Sequence, residues 1–309
     1  MSTLTREAAE EQAKAARSAQ ATGTGRPKKR KPNGDITNKP GWLGYGFLVI
    51  VMVAAIYPIY WAFTIGSGDQ TTITKREILG IPGGNFIDNA LTVIGNPTVN
   101  FWVAITNSII VSSIVSVSVV FFSTLAGYAF SKLRFKGRDG LLYFVIATLA
   151  VPTQLAVVPL FIVMVNLKLT GTLAAVILPA MVSAFGVFWM TQYLRQALPF
   201  ELIEAARIDG ASMIRTFWSI ALPAARPAAA MLALFIFIQT WTNFFWPFIV
   251  LDKDSQTLPV ALSVLSNNYF DDYSLILAGA VVSIIPLLIL FIVAGRQLVK
   301  GIMEGAVKG

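Results

Sequence analysis

The sequence predicts an all-α membrane protein with six transmembrane helices and both termini in the cytoplasm. Three observations lead to this fold class. Of the 309 residues, 55% are hydrophobic and only 13% are charged, whereas an average soluble domain is about 25% charged. Six uncharged apolar stretches are long enough to cross a bilayer, which takes about 20 residues of helix. The basic residues are concentrated on alternate connections between these stretches.

The six apolar stretches contain no Asp, Glu, Lys or Arg, so each can lie in hydrocarbon without a buried charge. Five of the six contain proline, which membrane helices tolerate better than soluble helices do. We predict transmembrane helices at about 43–65, 106–130, 141–166, 172–194, 228–251 and 275–295.

The distribution of charge predicts the orientation. Twenty of the 24 Lys and Arg residues lie in residues 1–42, 131–140, 195–227 and 296–309, whereas the opposite side has four, against seven Asp and Glu. The positive-inside rule therefore places both termini in the cytoplasm. We predict a basic, largely disordered tail over 1–42 and a six-span domain over 43–309. In a membrane chain, a net charge of +8 indicates topology and contact with lipid, and no nucleic-acid partner is expected.

The composition argues against several functions. Without Cys or His, structural zinc, iron–sulfur and haem sites are excluded, as is a Ser-His or Cys-His catalytic pair. We predict no catalytic residue and no metal site. No Gly-Lys dipeptide occurs, so the chain has no P-loop for ATP. No predicted span contains an acid for proton transfer, but a self-contained carrier or channel stays open because sodium can bind carbonyl and hydroxyl oxygens.

A charged, helix-forming stretch separates the fourth and fifth predicted spans at 201–223. Pro199 suits the first turn of a helix, and Gly210 can end that helix in a left-handed turn. A second helical pattern predicts an apolar stripe packed below, before Pro223 and Pro227 break it; the stripe is Ile214, Phe217, Trp218 and Ala221. The pattern predicts a helix–turn–helix on the cytoplasmic face, although periodicity alone favours a solvated connector.

The spacing within this stretch is specific. Glu204-Ala205-Ala206, three residues, Gly210, nine residues and Ile220-x-Leu222-Pro223 resemble the EAA motif of bacterial ABC importer permeases, with every element at its spacing. The resemblance implies a coupling helix, within a region of about 199–223, that docks into a groove on a cytoplasmic ATPase subunit. The ATPase-coupling residues it implies are Glu204, Ala205, Ala206, Asp209, Gly210, Ile220, Leu222 and Pro223.

Other segments of 43–309 are similar to one branch of that family, the permeases for di- and oligosaccharides. They are AGYAFSKLRFKGRDGLLYF from Ala126, VPTQLAVVPLF from Val151 and WTNFFWPFIVL from Trp241. The ending VKGIMEGAVKG resembles the tail of the second permease of maltose-type systems. Thr242 and Asn243 depart mildly from the branch, which often has Asn followed by Asn or Asp there.

This resemblance implies a location in the bacterial inner (plasma) membrane and a set of partners. They are a cytoplasmic ABC ATPase dimer, a second homologous permease subunit and an extracytoplasmic sugar-binding protein. ATP and Mg would be used by the ATPase subunits, and this chain would bind no cofactor. The resemblance also implies that the C-terminal tail, 296–309, reaches the ATPase dimer through Lys300, Gly305 and Lys308; a frayed basic terminus is the alternative.

Substrate contacts are predicted from the chemistry of sugars, which offer apolar ring faces and a rim of hydroxyls. Aromatic and amide side chains supply both complements, and buried amides in a membrane must find partners. The candidates are Gln154, Gln239, Trp241, Asn243, Phe244 and Trp246. The same residues could instead pack and crosslink helices, and the sister subunit could hold most of the sugar. An ABC permease for a non-sugar solute, such as an amino acid or phosphate, is the other alternative.

Overall fold

The computed structural model describes residues 41–69, 80–268 and 272–306, with side chains left out at 266–268, 294 and 296–306. Within these ranges the regular structure is helical and no strand occurs. Short 3₁₀ turns at Thr148–Ala150 and Thr153–Ala156 and a π turn at Phe217–Ala221 join some helices. The α-helices are α1 Trp42–Gly66, α2 Phe86–Gly95, α3 Phe101–Lys132, α4 Arg138–Ala147, α5 Val157–Asn166, α6 Ala174–Ala180, α7 Ala184–Ala197, α8 Phe200–Ile208, α9 Met213–Thr216, α10 Leu222–Trp241, α11 Phe245–Val250, α12 Leu258–Asn268 and α13 Tyr273–Ala306.

The chain divides into two compact units at Ile56 and Tyr57. The described part of the first unit is residues 41–56, the start of α1, where nearly every side chain is exposed and apolar. A helix that is apolar all round is typical of a membrane span. The predicted division at residues 42 and 43 remains a prediction, because residues 1–40 lie outside the described ranges.

The predicted spans agree with the helices in number. Five helical segments are long and apolar enough to cross a membrane: Trp42–Gly66, Phe101–Lys132, Ala174–Ala197, Met213–Trp241 and Tyr273–Val293. A sixth is obtained if the bent pair Arg138–Ala150 and Thr153–Asn166 counts as one span. The all-helical membrane fold is confirmed, and α2 and α12 are additional helices that the sequence did not predict.

The third predicted span, 141–166, corresponds to a bent pair of helices and not to one continuous helix. The structure bends by 90° between Ala150 and Thr153. Val151 is extended, with φ −85° and ψ 118°. The cause is Pro152, which has no N–H to donate and whose ring disfavours a helical conformation at the preceding residue.

The boundaries of the fifth predicted span, 228–251, were also wrong. Pro223 and Pro227 do not break the helix, which runs continuously through Met213–Trp241. The π turn lies just before Pro223, and there the Leu222 N–H donates to the Phe217 carbonyl five residues back. Such a bulge shifts the hydrogen-bond register where proline cannot donate. The helix instead stops at Trp241, and α11 begins after an interruption of three residues.

The second unit is built around α3, which packs along α7 and α10. Helices in lipid associate through close contact, and small residues permit it. A Cβ atom on Gly127 would lie 2.8 Å from the Met190 backbone, and one on Gly186 would collide with the Ser123 hydroxyl. The largest buried cluster lies along these three helices and includes Val115, Val119, Met190, Leu194 and Leu232.

The two ends of α3 contact different connections. Near its start, the Ser108 hydroxyl accepts a bond of 2.7 Å from the Leu258 N–H. At its last residue, the Lys132 ammonium donates 3.2 Å to the Arg195 carbonyl. The segments predicted to be extracytoplasmic and cytoplasmic therefore meet opposite ends of the helix. Which end faces the cytoplasm remains a prediction from the distribution of charge.

Candidate functional site

The short helix α8 carries the first part of the predicted coupling motif. Gly210 follows it with φ +77°, in the left-handed region that favours glycine. The Ala211 N–H donates 2.8 Å to the Ala206 carbonyl, and the Gly210 N–H donates 3.0 Å to the Arg207 carbonyl. This pair of bonds is the Schellman pattern of a helix C-terminus. The predicted left-handed turn at Gly210 is confirmed.

The motif residues of α8 divide between two faces. Ala206 is buried with Ile203 against the body of the protein. Glu204, Ala205 and Asp209 are exposed. The small side chain at 206 therefore lets α8 lie close to the body of this chain, whereas the one at 205 leaves the outer face of the helix open.

The second half of the motif is mostly packed inward. Ser212 begins α9, and its hydroxyl accepts from the Arg215 N–H at 3.3 Å. Ile220 and Leu222 are partly buried against the core, whereas Pro223 is exposed. These residues hold the segment in place, so the free surface of the motif lies around the turn.

The predicted apolar stripe of the second helix was half wrong. Phe217 and Ala221 are buried, but Ile214 is 73% exposed and Trp218 is also exposed. Phe217 and Ala221 belong to the largest buried cluster, whereas Ile214, which precedes the π turn, and Trp218 lie outside that cluster.

Large apolar side chains therefore remain uncovered around the turn. We call this set the coupling patch; its members are Leu202, Ile208, Met213, Ile214 and Trp218. Three of them, Met213, Ile214 and Trp218, also line an apolar groove of about 660 Å³ that reaches α3. Uncovered apolar surface of this kind marks interaction sites. The sequence analysis did not select Ile208 and Met213, although both are large apolar residues beside the turn.

The substrate candidates lie in two environments. Gln154, Gln239, Asn243 and Phe244 are exposed on the surface of the chain. Trp246 is half-buried, and its indole N–H donates 3.0 Å to a carbonyl of α6.

The remaining substrate candidate, Trp241, is only 3% exposed and stacks on Phe237 with ring centroids 5.8 Å apart. This burial favours a packing role for Trp241.

Three of the exposed candidates flank interruptions of helices. Gln154 follows the bend at Val151 and Pro152, and Gln239 and Asn243 lie on either side of the end of α10. Non-helical backbone at membrane depth is tolerated where protein covers it or where it lines a water-filled cavity. Exposed amides beside such breaks are therefore suited to line a polar path.

The structure describes part of the predicted C-terminal tail, and its acidic residues can be examined for a metal site. Helix α13 continues to Ala306, so Lys300 and Gly305 lie in its last turns, whereas Lys308 lies outside the described residues. In the part of the chain that the structure describes, no three Asp or Glu side chains converge as a metal site would require.

Comparison with known proteins decides the family. Residues 119–302 match the family model of the binding-protein-dependent transport system inner membrane component. The chain belongs to this family. Membership in this inner-membrane transport family makes it a multi-pass permease of the bacterial inner membrane, as the sequence predicted.

Relatives within the transport family differ in the solutes that their names give. The arabinooligosaccharides transport system permease protein AraQ of Halalkalibacterium halodurans is 34% identical over 270 residues, covering 86% of this chain and 95% of the relative. The sn-glycerol-3-phosphate transport system permease protein UgpE of Escherichia coli O157:H7 is 27% identical over 279 residues, covering 87% and 99%.

A solved structure supports the same fold. The chain is similar to one from a bacterial ABC transporter involved in the import of the acidic polysaccharide alginate, with a TM-score of 0.68 and 25% identity. The match covers 82% of this chain and 94% of that one. The helical architecture described above is therefore that of an importer permease.

Proposed function

We propose that this chain is the transmembrane permease subunit of an ATP-driven importer of di- or oligosaccharides. It forms the translocation path together with a second homologous permease, receives solute from an extracytoplasmic sugar-binding protein and is driven by a cytoplasmic ATPase dimer that holds ATP and Mg. The observation that carries the proposal is the coupling motif, folded as a helix and left-handed turn with an uncovered apolar surface beside it.

The coupling patch supports docking to a protein partner. Ile208 is 86% exposed at the end of α8, next to charged motif residues and the Gly210 turn. Full burial of one such aliphatic side chain contributes roughly 1.5–3 kcal/mol. A groove on an ATPase subunit would cover this apolar surface while the flanking charges of Glu204 and Asp209 remain at the rim.

The exposed amides support a path shared between two permeases. Gln239 and Asn243 lie on an outer surface of the chain beside unwound backbone. In lipid, uncovered amides and free peptide groups are costly. A second, related subunit against this surface would cover them and leave a polar passage, because the breaks supply hydrogen-bonding groups for a solute.

The names of the relatives bear on the solute. AraQ and the alginate transporter point to carbohydrates, and the aromatic and amide side chains along α10 and α11 suit a sugar. UgpE gives a specific reason to keep a phosphorylated polyol as the second candidate. Membership in a binding-protein-dependent family removes the support for a self-contained carrier or channel.

The decisive experiment is gentle purification of the tagged chain from its native membrane, followed by mass spectrometry of the proteins that accompany it. A stoichiometric P-loop ATPase and a second six-span protein are expected. The complex, reconstituted with its binding protein, should hydrolyse ATP faster with an oligosaccharide. Stimulation by glycerol phosphates alone would move the solute to the second candidate, and solute flux without ATP would refute the importer function.

A further inference from the structure

Lys132, the last residue of α3, is a charged side chain held inside the protein. It is only 4% exposed, and lysine is almost never this buried unless it is paired. Its ammonium donates 3.2 Å to the Arg195 carbonyl and lies 4.5 Å above the centre of the Phe200 ring. Neither contact is to an acid, so the arrangement is not a salt bridge.

The two contacts of Lys132 lie on opposite sides of a short elbow. Arg195 is in the last turn of α7, and Phe200 is the first residue of α8. Only Leu198 and Pro199 separate the two helices, and Leu198 is fully buried. One ammonium group therefore contacts the end of the fourth span and the start of the coupling helix at the same time.

Proline explains why a donor is needed at this elbow. In a continuing helix the carbonyl of Arg195 would accept from the N–H four residues later. That residue is Pro199, which has no N–H. Lys132 supplies the missing donor, and a cation at a helix C-terminus is also favoured by the helix dipole.

Charged and aromatic groups around the Lys132 ammonium also act on it. Burial, the largest influence, and the Arg195 guanidinium both disfavour the charged form of Lys132, whereas the Glu201 carboxylate favours it. The ring of Phe200 offers its negative face, which attracts a cation. An apolar residue at position 132 would fill space but would satisfy neither the carbonyl nor the ring.

We propose that Lys132 is a positioning residue that fixes the angle between α7 and the coupling helix α8 and ties both to the end of α3. When the ATPase subunits move α8, the second and fourth spans then move with it as one body. This inference rests on the proposed importer function, which supplies the moving partner. In the sequence, Lys132 is marked only as the first charged residue after a long apolar run.

The first test compares Lys132→Met with Lys132→Arg in the full reconstituted importer. Lys136→Met is the matched control, because Lys136 is exposed on the following loop and carries the same charge. The readout is oligosaccharide uptake per ATP hydrolysed, together with the amount of ATPase bound. Losing a hydrogen bond to a charged donor and a cation–π contact predicts about a tenfold lower ratio for Lys132→Met.

Rescue by arginine distinguishes a positioning role of Lys132 from a general contribution to protein stability. Arginine keeps a donor and a cation above the ring, so Lys132→Arg should recover most of the transport ratio. Lys136→Met should match the wild type, and ATPase binding should persist in all variants. Equal transport ratios for Lys132→Met and the wild type would overturn the proposal.

A second test does not depend on transport. The chain contains no Cys, so spin labels can be placed specifically through Leu125→Cys on α3 and Ile208→Cys on α8, both at exposed positions. The distance distribution should be narrow in the parent and with Lys132→Arg, and broad with Lys132→Met. An unchanged distance distribution in Lys132→Met would overturn the proposal.

The two tests also distinguish a failure of the proposed role of Lys132 from a failure of the proposed importer function. If the wild type shows no ATP-driven uptake, the proposed importer function fails. The spin-label distances still test whether Lys132 fixes the angle between α7 and α8. If Lys132→Met does not fold, Phe200→Leu replaces it, because leucine keeps apolar bulk but removes the ring face. A normal transport ratio and a narrow distance distribution in that variant would overturn the proposal.

Discussion

Replacing Gly210 by valine tests whether the left-handed backbone conformation after α8 is needed for coupling to the ATPase. Gly210 has φ +77°, and a Cβ atom built on it meets nothing within 4 Å. The substitution therefore introduces no collision, and its effect arises from the conformation of one residue. We expect the protein to insert and fold, because the substitution lies outside the buried clusters and its effect is confined to the turn.

The magnitude follows from the geometry of the turn. A residue with a Cβ costs roughly 1–2 kcal/mol in the left-handed region, and a β-branched residue is especially rare there. A cost of that size reduces the population of the native turn by a factor of about 5–30. Two hydrogen bonds depend on this turn, from the N–H groups of Gly210 and Ala211. When they are lost, Met213 and Ile214 change direction relative to α8.

A graded series provides the assay. Asparagine tolerates the left-handed region, so ATPase binding and uptake should fall in the order glycine, asparagine, alanine, valine at position 210. Gly140→Val is the control, because Gly140 lies in the first turn of α4 with an ordinary φ and open space around it. Membrane insertion and thermal unfolding should be similar throughout. Wild-type binding and uptake in Gly210→Val would refute the reasoning.

Three further predictions concern the patch and the packing. Ile214→Asp should abolish ATPase co-purification without affecting insertion, because a charge replaces an apolar side chain that is 73% exposed. Gly127→Ala should lower the unfolding temperature in detergent more than Gly186→Ala does, because the first meets the backbone of Met190 and the second meets a serine hydroxyl. Trp246→Phe should lower the stability by about 1 kcal/mol, because its indole N–H donates to a carbonyl of α6 at 3.0 Å.

Each of these predictions has an outcome that would contradict it, and the first also has a control variant. Ser219→Asp is the control for the patch, because Ser219 is an exposed residue on the same segment outside the coupling patch; normal ATPase binding by Ile214→Asp would contradict the docking surface. A larger loss for Gly186→Ala would contradict the packing argument, since hydroxyl groups can rotate whereas backbone cannot. An unchanged unfolding temperature for Trp246→Phe would show that the indole bond contributes nothing measurable.

Much of the candidate site could be predicted because it depends on local chemistry. The spacing of Glu204, Gly210 and Pro223 identified the coupling motif, and Gly210 adopts the left-handed turn that glycine adopts without strain. The prediction of packing was weaker. Ile214 and Phe217 shared a predicted face, yet one is exposed and the other buried, because Phe217 packs against Tyr128 of α3 whereas Ile214 lies outside the buried cluster.

The substrate residues show the same limit. Trp241 and Asn243 are two residues apart in one apolar run, but the first is buried and the second is exposed. The end of α10 at Trp241 has no proline to mark it, unlike the bend before Pro152. The burial of Lys132 also could not be predicted, because its partners come from residues more than 60 positions later in the chain.

Composition and local patterns were enough to predict the membrane class, the approximate spans, the charge bias and the coupling motif. Hydrophobicity, net charge and turn chemistry are properties of short segments, so they can be evaluated without knowing which segments touch. The packing of distant segments was needed to see which faces are buried, how α10 passes Pro223 and Pro227, and that Lys132 contacts both sides of the elbow before α8. Membrane helices are apolar on most sides, so periodicity does not reveal their contacts, and the packing of neighbouring helices determines them.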